Sequence, residues 1–391
     1  MRDILRRIHL AIGAILCVPL VVLGLSGSVL VFEDELRAAL EPTPHAFTAG
    51  EARPLAQIVE SARAAAPQEW VPSLVLPAAR YGDSVEVRFS DPKRGPSPGG
   101  RLVFVDPVSG VVLGTREGTQ GILRQIASLH SNLLMRDLGG RSVIGWLGVA
   151  MVMLGLTGPL LWWPRRRQWR AAFRIRRDAG AYALLRDLHG VVGICGVGVL
   201  LVVSVTGVYL AFPQSVGAAI STLLPVRDLR PNAGAFRVTP QPGRAPLAID
   251  AAVALARAAV PDAGVRSVFL PLRPEQPYRV ILTHARTRAG APPVTAFVDP
   301  WLGRVIERRD PAEYSVGERI VAWQRALHAG AGLGWPWRGL VFLSGFLPPL
   351  FAASGVTMWL LKRRARNRGG APQERRLGLD NRGKSMRRQQ P

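Results

Sequence analysis

The sequence predicts a membrane protein of the α+β class, in which a tandem duplication supplies four transmembrane helices and two small domains outside the membrane. Three observations predict this fold: four long apolar runs, an uneven distribution of basic residues, and an internal repeat that covers most of the chain. Each outer domain is expected to contain one helix and an antiparallel sheet.

The composition of the 391-residue chain fits a membrane protein and excludes other classes. Apolar residues make up 48% of the chain, although Lys and Arg number 50 against 27 Asp and Glu. So many apolar residues exclude disorder. Two cysteines, Cys17 and Cys195, are too few for a disulfide scaffold or a zinc cluster. The positive mean hydropathy of +0.16 beside a net charge of +23 indicates that apolar and charged residues are segregated along the chain.

Four apolar runs of 21 to 23 residues contain no charged residue, and about 20 residues suffice to cross a hydrocarbon core. A cleaved signal peptide is the alternative for the first run, but that run is longer than a signal h-region and lacks a clear A-x-A site. The predicted order is transmembrane helix 1 (1–32), outer domain 1 with an interfacial helix (33–142), transmembrane helix 2 (143–163), a basic loop (164–187), transmembrane helix 3 (188–212), outer domain 2 with an interfacial helix (213–338), transmembrane helix 4 (339–361) and a basic disordered tail (362–391).

The basic residues predict the orientation in the membrane. The N-terminus, the short loop and the tail together hold 22 of the 50 basic residues and five acidic ones, which is +17 of the net +23. Because Lys and Arg accumulate on the cytoplasmic side, both termini are predicted to be cytoplasmic and both long loops to face outward. The basic segments are expected to touch anionic lipid headgroups. They carry no stacking aromatic residues, so nucleic-acid binding is not predicted.

The chain repeats a unit of span, outer domain and span. Residues 9–32 match 189–212 at an offset of 180, and the second and fourth spans align at an offset of 197. In the outer loops, a Phe-Val-Asp-Pro-x-x-Gly motif starts at Phe104 and again at Phe297. Two copies that start on the same side form a parallel repeat. Each outer domain opens with an Ala-rich helical segment and continues with short alternating runs that predict strands.

Four of the six histidines occupy equivalent places in the repeat. His9 and His189 lie at the cytoplasmic ends of spans one and three, whereas His130 and His328 lie on short helical segments just before spans two and four. Glycine-rich breaks follow those two segments and allow each histidine helix to fold back against the bundle. The sequence therefore predicts two histidine pairs, one at each membrane face, with one member from each repeat.

Paired imidazoles in an apolar, glycine-rich bundle are typical ligands of a porphyrin iron. Because no CxxCH motif occurs, a haem on such a pair would be non-covalent and b-type, and the candidate ligand pairs are His9 with His189 and His130 with His328. Zn²⁺ or Cu²⁺ on the same histidines is the alternative, although each pair lacks an obvious third ligand. The candidates for pairing with haem propionates, or else for anchoring the helices, are Arg6, Arg186, Arg141 and Arg338. His45 and His284 lie in the outer loops and are expected to be surface residues.

Other catalytic signatures are absent from the sequence. It contains no Walker A, HExxH or GxSxG motif. The cytoplasmic loop is too short for a flavin or nicotinamide domain, so the electrons are expected to come from a separate donor, a quinol or a flavoprotein.

The motifs quoted above, together with Arg6-Arg7-Ile8-His9 and Asp187-Leu188-His189-Gly190, resemble those of the PepSY-associated transmembrane family of bacterial inner-membrane proteins. The likeness covers residues 1 to about 365. It implies periplasmic PepSY domains and, in members similar to siderophore reductases, two b-type haems on four histidines. Such members pass electrons outward to ferric siderophores and release Fe²⁺.

Three hypotheses follow for the function. The first is a haem-dependent oxidoreductase that conducts electrons to a ferric siderophore or another periplasmic acceptor, which would dock between the two outer domains. The second is a non-enzymatic module whose PepSY domains bind or inhibit a protease or assist a transporter. The third is a metal or siderophore permease, which the absence of charged residues within the four spans disfavours.

Overall fold

The computed structural model describes residues 2–93, 100–118, 121–165, 167–227 and 236–369. The helices are α1 (Arg2–Leu30), α2 (Glu33–Leu40), α3 (Leu55–Arg63), α4 (Ile122–Asn132), α5 (Gly140–Trp162), α6 (Trp169–Ala172), α7 (Ala181–Ala211), α8 (Pro213–Ser221), α9 (Ile249–Ala259), α10 (Val316–His328), α11 (Trp335–Ser344) and α12 (Leu347–Gly369). The strands are β1 (His45–Ala46), β2 (Val71–Leu76), β3 (Gly82–Asp83), β4 (Val85–Ser90), β5 (Arg101–Val105), β6 (Val112–Glu117), β7 (Ala263–Phe269), β8 (Tyr278–His284), β9 (Val294–Asp299) and β10 (Arg304–Arg309).

The chain is a multi-pass membrane protein of the α+β class. Within the described residues, four helical stretches are long and apolar enough to cross a membrane: Arg2–Leu30, Gly140–Trp162, Ala181–Ala211 and Trp335–Asn367. They form a bundle in which α1 packs on α5 and α12, and α7 packs on the same two helices. Below, the sheet side of the bundle is the end that carries the strands, and the loop side is the end that carries α6 and the start of α1.

The fourth span is two helices, not the single helix that the sequence predicts over 339–361. Helix α11 ends at Ser344 and α12 begins at Leu347. Pro348 and Pro349 cause the interruption, because a proline has no N–H to donate and its ring clashes with the carbonyl four residues earlier. At the interruption, the backbone of Gly345 lies against that of Gly24 in α1, where neither residue has room for a Cβ atom.

Two further boundaries differ from the prediction. Helix α7 begins at Ala181, before its predicted start at residue 188, whereas α1 begins at Arg2 within its predicted range of 1–32, so His9 and His189 both lie inside regular helix. Helix α12 continues to Gly369, so the first residues of the predicted tail are helical. Residues 370–391 of that tail lie outside the described residues.

Eight of the strands form one continuous antiparallel sheet, in the order β10-β9-β8-β7-β2-β4-β5-β6. The sequence predicts two separate small sheets. Strand β2 of the first repeat pairs with β7 of the second, with Leu74 opposite Phe269 and Val75 opposite Val268. The sheets therefore meet edge to edge, so the prediction of two separate sheets is wrong, while the docking place of an electron acceptor stays a prediction.

A single apolar core lies under this sheet. Helices α3 and α9 pack against it and against each other, and buried side chains from both repeats, such as Val75, Val87, Val268 and Val280, belong to one cluster. Asp250 of α9 also accepts hydrogen bonds at 2.7 and 2.9 Å from the first two backbone N–H groups of α3. These groups have no partner within their own helix, so the carboxylate of one repeat caps the helix of the other.

The two histidine helices fold back against the bundle, as the glycine breaks predict. Helix α4 packs on α1 and α5, and α10 packs on α7. After α10, Gly330, Gly332 and Gly334 have φ values of 71°, 81° and 84°. Such positive values favour glycine, which has no Cβ.

Candidate functional site

The four histidines form two pairs at opposite ends of the bundle. The ring centroids of His9 and His189 are 6.5 Å apart on the loop side, and those of His130 and His328 are 6.0 Å apart on the sheet side. We refer to these as the loop-side pair and the sheet-side pair. As predicted, each pair takes one histidine from each repeat.

The two pairs are separated by most of the length of the spans. His9 lies near the start of α1, and the His130 ring contacts the same helix at Ser26 and Gly27. At 1.5 Å per residue, these positions on α1 are about 26 Å apart along the helix axis. The pairs therefore lie near opposite ends of the helix bundle.

A hydroxyl group of a neighbouring span positions each ring of the loop-side pair. The Nδ1 atom of His9 lies 2.7 Å from Thr157 Oγ1, and that of His189 lies 2.7 Å from Ser354 Oγ. Each hydroxyl donates its proton to the backbone carbonyl one turn earlier, at 2.7 and 2.8 Å. Since that proton is committed, the oxygen accepts a hydrogen bond from the Nδ1–H of the histidine.

The sheet-side pair is positioned in the same way, with an additional carbonyl. His130 Nδ1 lies 3.1 Å from both Ser26 Oγ and the Leu23 carbonyl oxygen. The equivalent distances from His328 Nδ1 are 3.1 Å to Thr206 Oγ1 and 2.9 Å to the Val203 carbonyl oxygen. A carbonyl oxygen can only accept, so Nδ1 is the protonated nitrogen of both rings.

These contacts fix the tautomer of all four histidines. With the proton on Nδ1, the Nε2 atom keeps its lone pair and is free to bind a metal ion. Histidine ligands of metals usually donate their other N–H to such a second group, which orients the ring and raises its basicity. All four histidines of the two pairs have such a second group at Nδ1.

A glycine next to each hydroxyl makes room for the ring. A Cβ atom on Gly27 or Gly207 would lie 2.9 or 3.0 Å from Cε1 of His130 or His328. The contacts are looser in the loop-side pair, where the corresponding distances are 3.8 Å at Gly158 and 3.9 Å at Gly355. The sheet-side rings are therefore the more tightly packed of the two pairs.

Burial keeps the sheet-side rings neutral. Removal from water, together with the neighbouring His328, lowers the pKa of His130 to about 4, against the opposing effect of its hydrogen bond to Leu23. Burial also lowers the pKa of His328, against the opposing effect of its hydrogen bond to Val203. Only an unprotonated imidazole nitrogen can ligate a metal ion, so both rings are ready to bind at neutral pH.

The separation within each pair suits one metal ion between the rings. A ligating imidazole nitrogen lies about 2.0 Å from its metal and about 1.2 Å from its own ring centre, so two opposed rings have centres about 6.4 Å apart. The observed 6.5 and 6.0 Å agree with this geometry. Within the described parts of the chain, no group of three or more His, Cys, Asp and Glu could hold a metal ion. A haem iron, which receives four ligands from its porphyrin, needs only the two imidazoles.

Arg141 and Arg338, predicted as propionate ligands, cap the spans of the opposite repeat. Arg141 donates to the carbonyls of Leu210 and Ala211 at the end of α7. Arg338 donates to the Val31 carbonyl oxygen just after α1, at 2.8 Å. Arg338 also forms two hydrogen bonds, of 2.5 and 2.6 Å, with the Glu35 carboxylate. Cations at a helix C-terminus are stabilising, so both arginines join the repeats.

The other two predicted propionate ligands lie on exposed helix surface near the loop-side pair. Arg6 is 3.8 Å from Asp3, and Arg186 is 3.2 Å from Asp187. Asp187 also receives two hydrogen bonds from Arg176, at 2.8 and 2.9 Å. Propionate binding by these four arginines stays a prediction.

The remaining two histidines are separate from both pairs. His45 lies in β1, where its Nδ1 is 3.2 Å from the Gly82 carbonyl oxygen and its ring packs on Phe47. His284 is the last residue of β8, where it pairs with Ala263 of β7.

The hydroxyl partners of the histidines are not among the residues predicted from the sequence. A Ser-Gly or Thr-Gly dipeptide supplies both the hydroxyl and the glycine at each ring: Ser26-Gly27, Thr157-Gly158, Thr206-Gly207 and Ser354-Gly355. The signal was visible, because the four dipeptides fall at equivalent places in the repeat. Small residues also pack transmembrane helices in general, and this general explanation obscures the role of the four dipeptides at the histidine rings.

Comparison with known proteins agrees with this architecture. An uncharacterized protein of Pseudomonas aeruginosa (strain PAO1) is 31% identical over 257 residues, which is 61% of this chain and 63% of that protein. The chain thus matches less than two thirds of the length of this relative. The family described as the PepSY-associated TM region matches residues 6–362. With four spans, a duplicated sheet domain and a match over nearly its whole length, the chain belongs to the PepSY-associated TM region family.

Proposed function

We propose that the chain is an oxidoreductase that carries electrons across a bacterial inner membrane through two b-type haems. The observation that carries the proposal is the fourfold arrangement at the histidines. In both pairs, Nδ1 is held by a hydroxyl of the neighbouring span, Nε2 is free, and the two rings are close enough that both would hold one haem iron.

His9 and His189 would hold one haem, and His130 and His328 the other. When bound, haem supplies reversible one-electron chemistry at a potential set by its axial ligands and surroundings. The protein contributes neutral imidazoles of fixed orientation, and the apolar spans provide a low-dielectric path of about 26 Å between the pairs.

The distribution of basic residues supports the orientation of the chain in the membrane. The loop side carries the basic segments, so we place it and both termini in the cytoplasm and the PepSY sheet in the periplasm. The donor would be a quinol or a flavoprotein on the cytoplasmic side. The acceptor would be a ferric siderophore or another periplasmic oxidant, an assignment that comes from the likeness to siderophore reductases. Each electron reduces one Fe³⁺ to Fe²⁺, which a ligand built for Fe³⁺ releases.

The first test is a haem count on the full chain purified in detergent. Reduced-minus-oxidised spectra and the pyridine haemochromogen assay should give two b-type haems per chain. His9→Ala and His328→Ala should each lose one haem, from different sites. His45→Ala, in which the replaced histidine contacts neither pair, should keep both and serves as the matched control.

A second measurement tests the reaction. Proteoliposomes with an internal electron donor and an external ferric hydroxamate complex should produce Fe²⁺, detected with a ferrous chelator. His130→Ala should abolish this production. A colourless protein from haem-replete cells would refute the proposal and favour a module whose PepSY domains bind a periplasmic partner.

A further inference from the structure

We propose that a pocket with three arginines on the sheet side of the bundle binds an oxyanion, the carboxylate or phosphate group of a ligand. The pocket lies between α4, the single helical turn Arg136–Leu138 and the start of α5, and has a volume of about 410 Å³. Its polar lining, which we name the arginine pocket, consists of Arg124, Ser128, Ser131, Asn132, Arg136 and Arg141.

Arg141 is engaged with the carbonyls at the end of α7, but no described residue balances the charge of the other two arginines of the pocket. No acidic residue lines the pocket. Arg124 and Arg136 form no hydrogen bond or ion pair with any residue that the structure describes. Burial lowers the pKa of Arg124, and the nearby cations Arg136, Arg88 and Arg37 lower it further. The attraction of Glu33 opposes this shift, but its carboxylate is already bonded to Arg37 at 2.5 Å.

Polar groups on α4 complete a binding surface. Asn132 is buried, with 8% of its surface exposed. Its side-chain oxygen accepts from Ser128 at 3.1 Å, and one amide N–H is directed to Ser131 Oγ at 3.2 Å. The second amide N–H remains available for a ligand. Guanidinium and amide N–H donors together form the donor set that binds carboxylates and phosphates.

The pocket is confined to the first repeat, unlike the histidine pairs. Counted from His328, the positions of Arg124, Ser128 and Ser131 are occupied by Ala322, Ala326 and Ala329. The duplicated scaffold positions His328 without these polar residues, so the scaffold does not require them. The arginine pocket therefore has a role that only one repeat performs.

The location of the pocket restricts the source of the oxyanion. Leu134 and Leu138, on either side of Arg136, are 60% and 80% exposed. The mouth of the pocket thus lies at the border between the lipid-facing surface and the sheet domain. The oxyanion belongs either to a soluble molecule or to the headgroup of an anionic phospholipid, which share this chemistry. Ser131 and Asn132 directly follow His130, so the bound group lies beside the sheet-side pair.

The experiment compares the full-length wild type with the double variant Arg124→Gln/Arg136→Gln. The matched control, Arg319→Gln/Arg325→Gln, removes two exposed arginines from the equivalent helix α10. Calorimetric titration with citrate and with inorganic phosphate tests for a soluble anion. Mass spectrometry of phosphatidylglycerol retained after purification tests for a lipid headgroup.

A soluble source predicts citrate or phosphate binding that is weaker by about tenfold or more in the pocket variant and unchanged in the control. A lipid source predicts that the pocket variant alone loses about one retained phosphatidylglycerol per chain. The absence of both effects would overturn the proposal. So would loss of haem from the pocket variant, because the arginines would then serve the porphyrin carboxylates. The titrations do not depend on haem, so a colourless wild type that binds the anion would refute the proposed function and leave the pocket intact.

Discussion

Replacing Gly27 with alanine should empty the sheet-side pair and leave the loop-side pair occupied. A Cβ atom at this position would lie 2.9 Å from Cε1 of His130, whereas carbon atoms in contact settle at about 3.5–4.0 Å. The ring would therefore have to retreat from α1 by about 0.6 Å or more.

This retreat would also break the contacts that orient the ring. Both acceptors of His130 Nδ1, Ser26 Oγ and the Leu23 carbonyl, lie on α1 at 3.1 Å. Moving the ring away from α1 lengthens both distances to about 3.7 Å, beyond hydrogen-bond range. Loss of such an orienting contact weakens metal binding about 10- to 100-fold.

The assay is the haem count per chain, with Gly158→Ala as the matched control. In the control, the new Cβ would lie at an ordinary 3.8 Å from Cε1 of His9. We expect about one haem in Gly27→Ala and two in Gly158→Ala. Two haems with unchanged redox potentials in Gly27→Ala, or equal losses in both variants, would refute the packing argument.

Three further predictions test the support of the sites and of the sheet. Thr157→Val removes the acceptor of His9 Nδ1 and should weaken haem binding at the loop-side pair about 10- to 100-fold, measured by titrating haem into the stripped protein; unchanged affinity would contradict the assigned tautomer. Asp250→Ala removes the cap of α3 and should lower the free energy of unfolding by about 1–2 kcal/mol, measured by thermal denaturation, with no change in haem content. Asp106 is buried, which raises its pKa, but hydrogen bonds from Thr48 and from the backbone of its turn outweigh burial and hold the pKa below its usual value. Its stabilisation is therefore complete above a pH of about 4 and lost as the pH falls through the lowered value, so the melting temperature of Asp106→Asn should depend less on pH between 5 and 3 than that of the wild type.

Much of the fold follows from local patterns that the sequence displays. The four spans follow from their apolar content, and the alternating runs predict strands such as β4 and β8 at nearly their observed positions. The histidine pairs follow from the repeat, because equivalent residues of two parallel units lie at the same depth in the membrane.

The features that the sequence did not reveal depend on contacts between the repeats. The pairing of β2 with β7 joins residues almost 200 positions apart, and neither strand has a sequence pattern that predicts which strand it pairs with. The interruption of the fourth span was missed because Gly345 and the prolines after it are apolar, so the run stays continuous in hydropathy. The arginine pocket was missed because Arg124 and Arg136 flank the histidine on different elements and have no sequence motif.

The pairing of β2 with β7 belongs to a wider pattern, in which an element of one repeat contacts the equivalent element of the other repeat. Equivalent strands pair antiparallel at the centre of the sheet, α3 touches its counterpart α9, and each histidine faces its own counterpart. Such contacts are isologous, the kind that a twofold axis generates in a homodimer. A half-length chain with a single span, domain and span could thus build both histidine pairs by dimerising, so gene duplication and fusion would have required no new interface. After fusion, the sequences of the two halves could diverge. The arginine pocket is present in one repeat alone, whereas two identical chains of a homodimer would both have carried it.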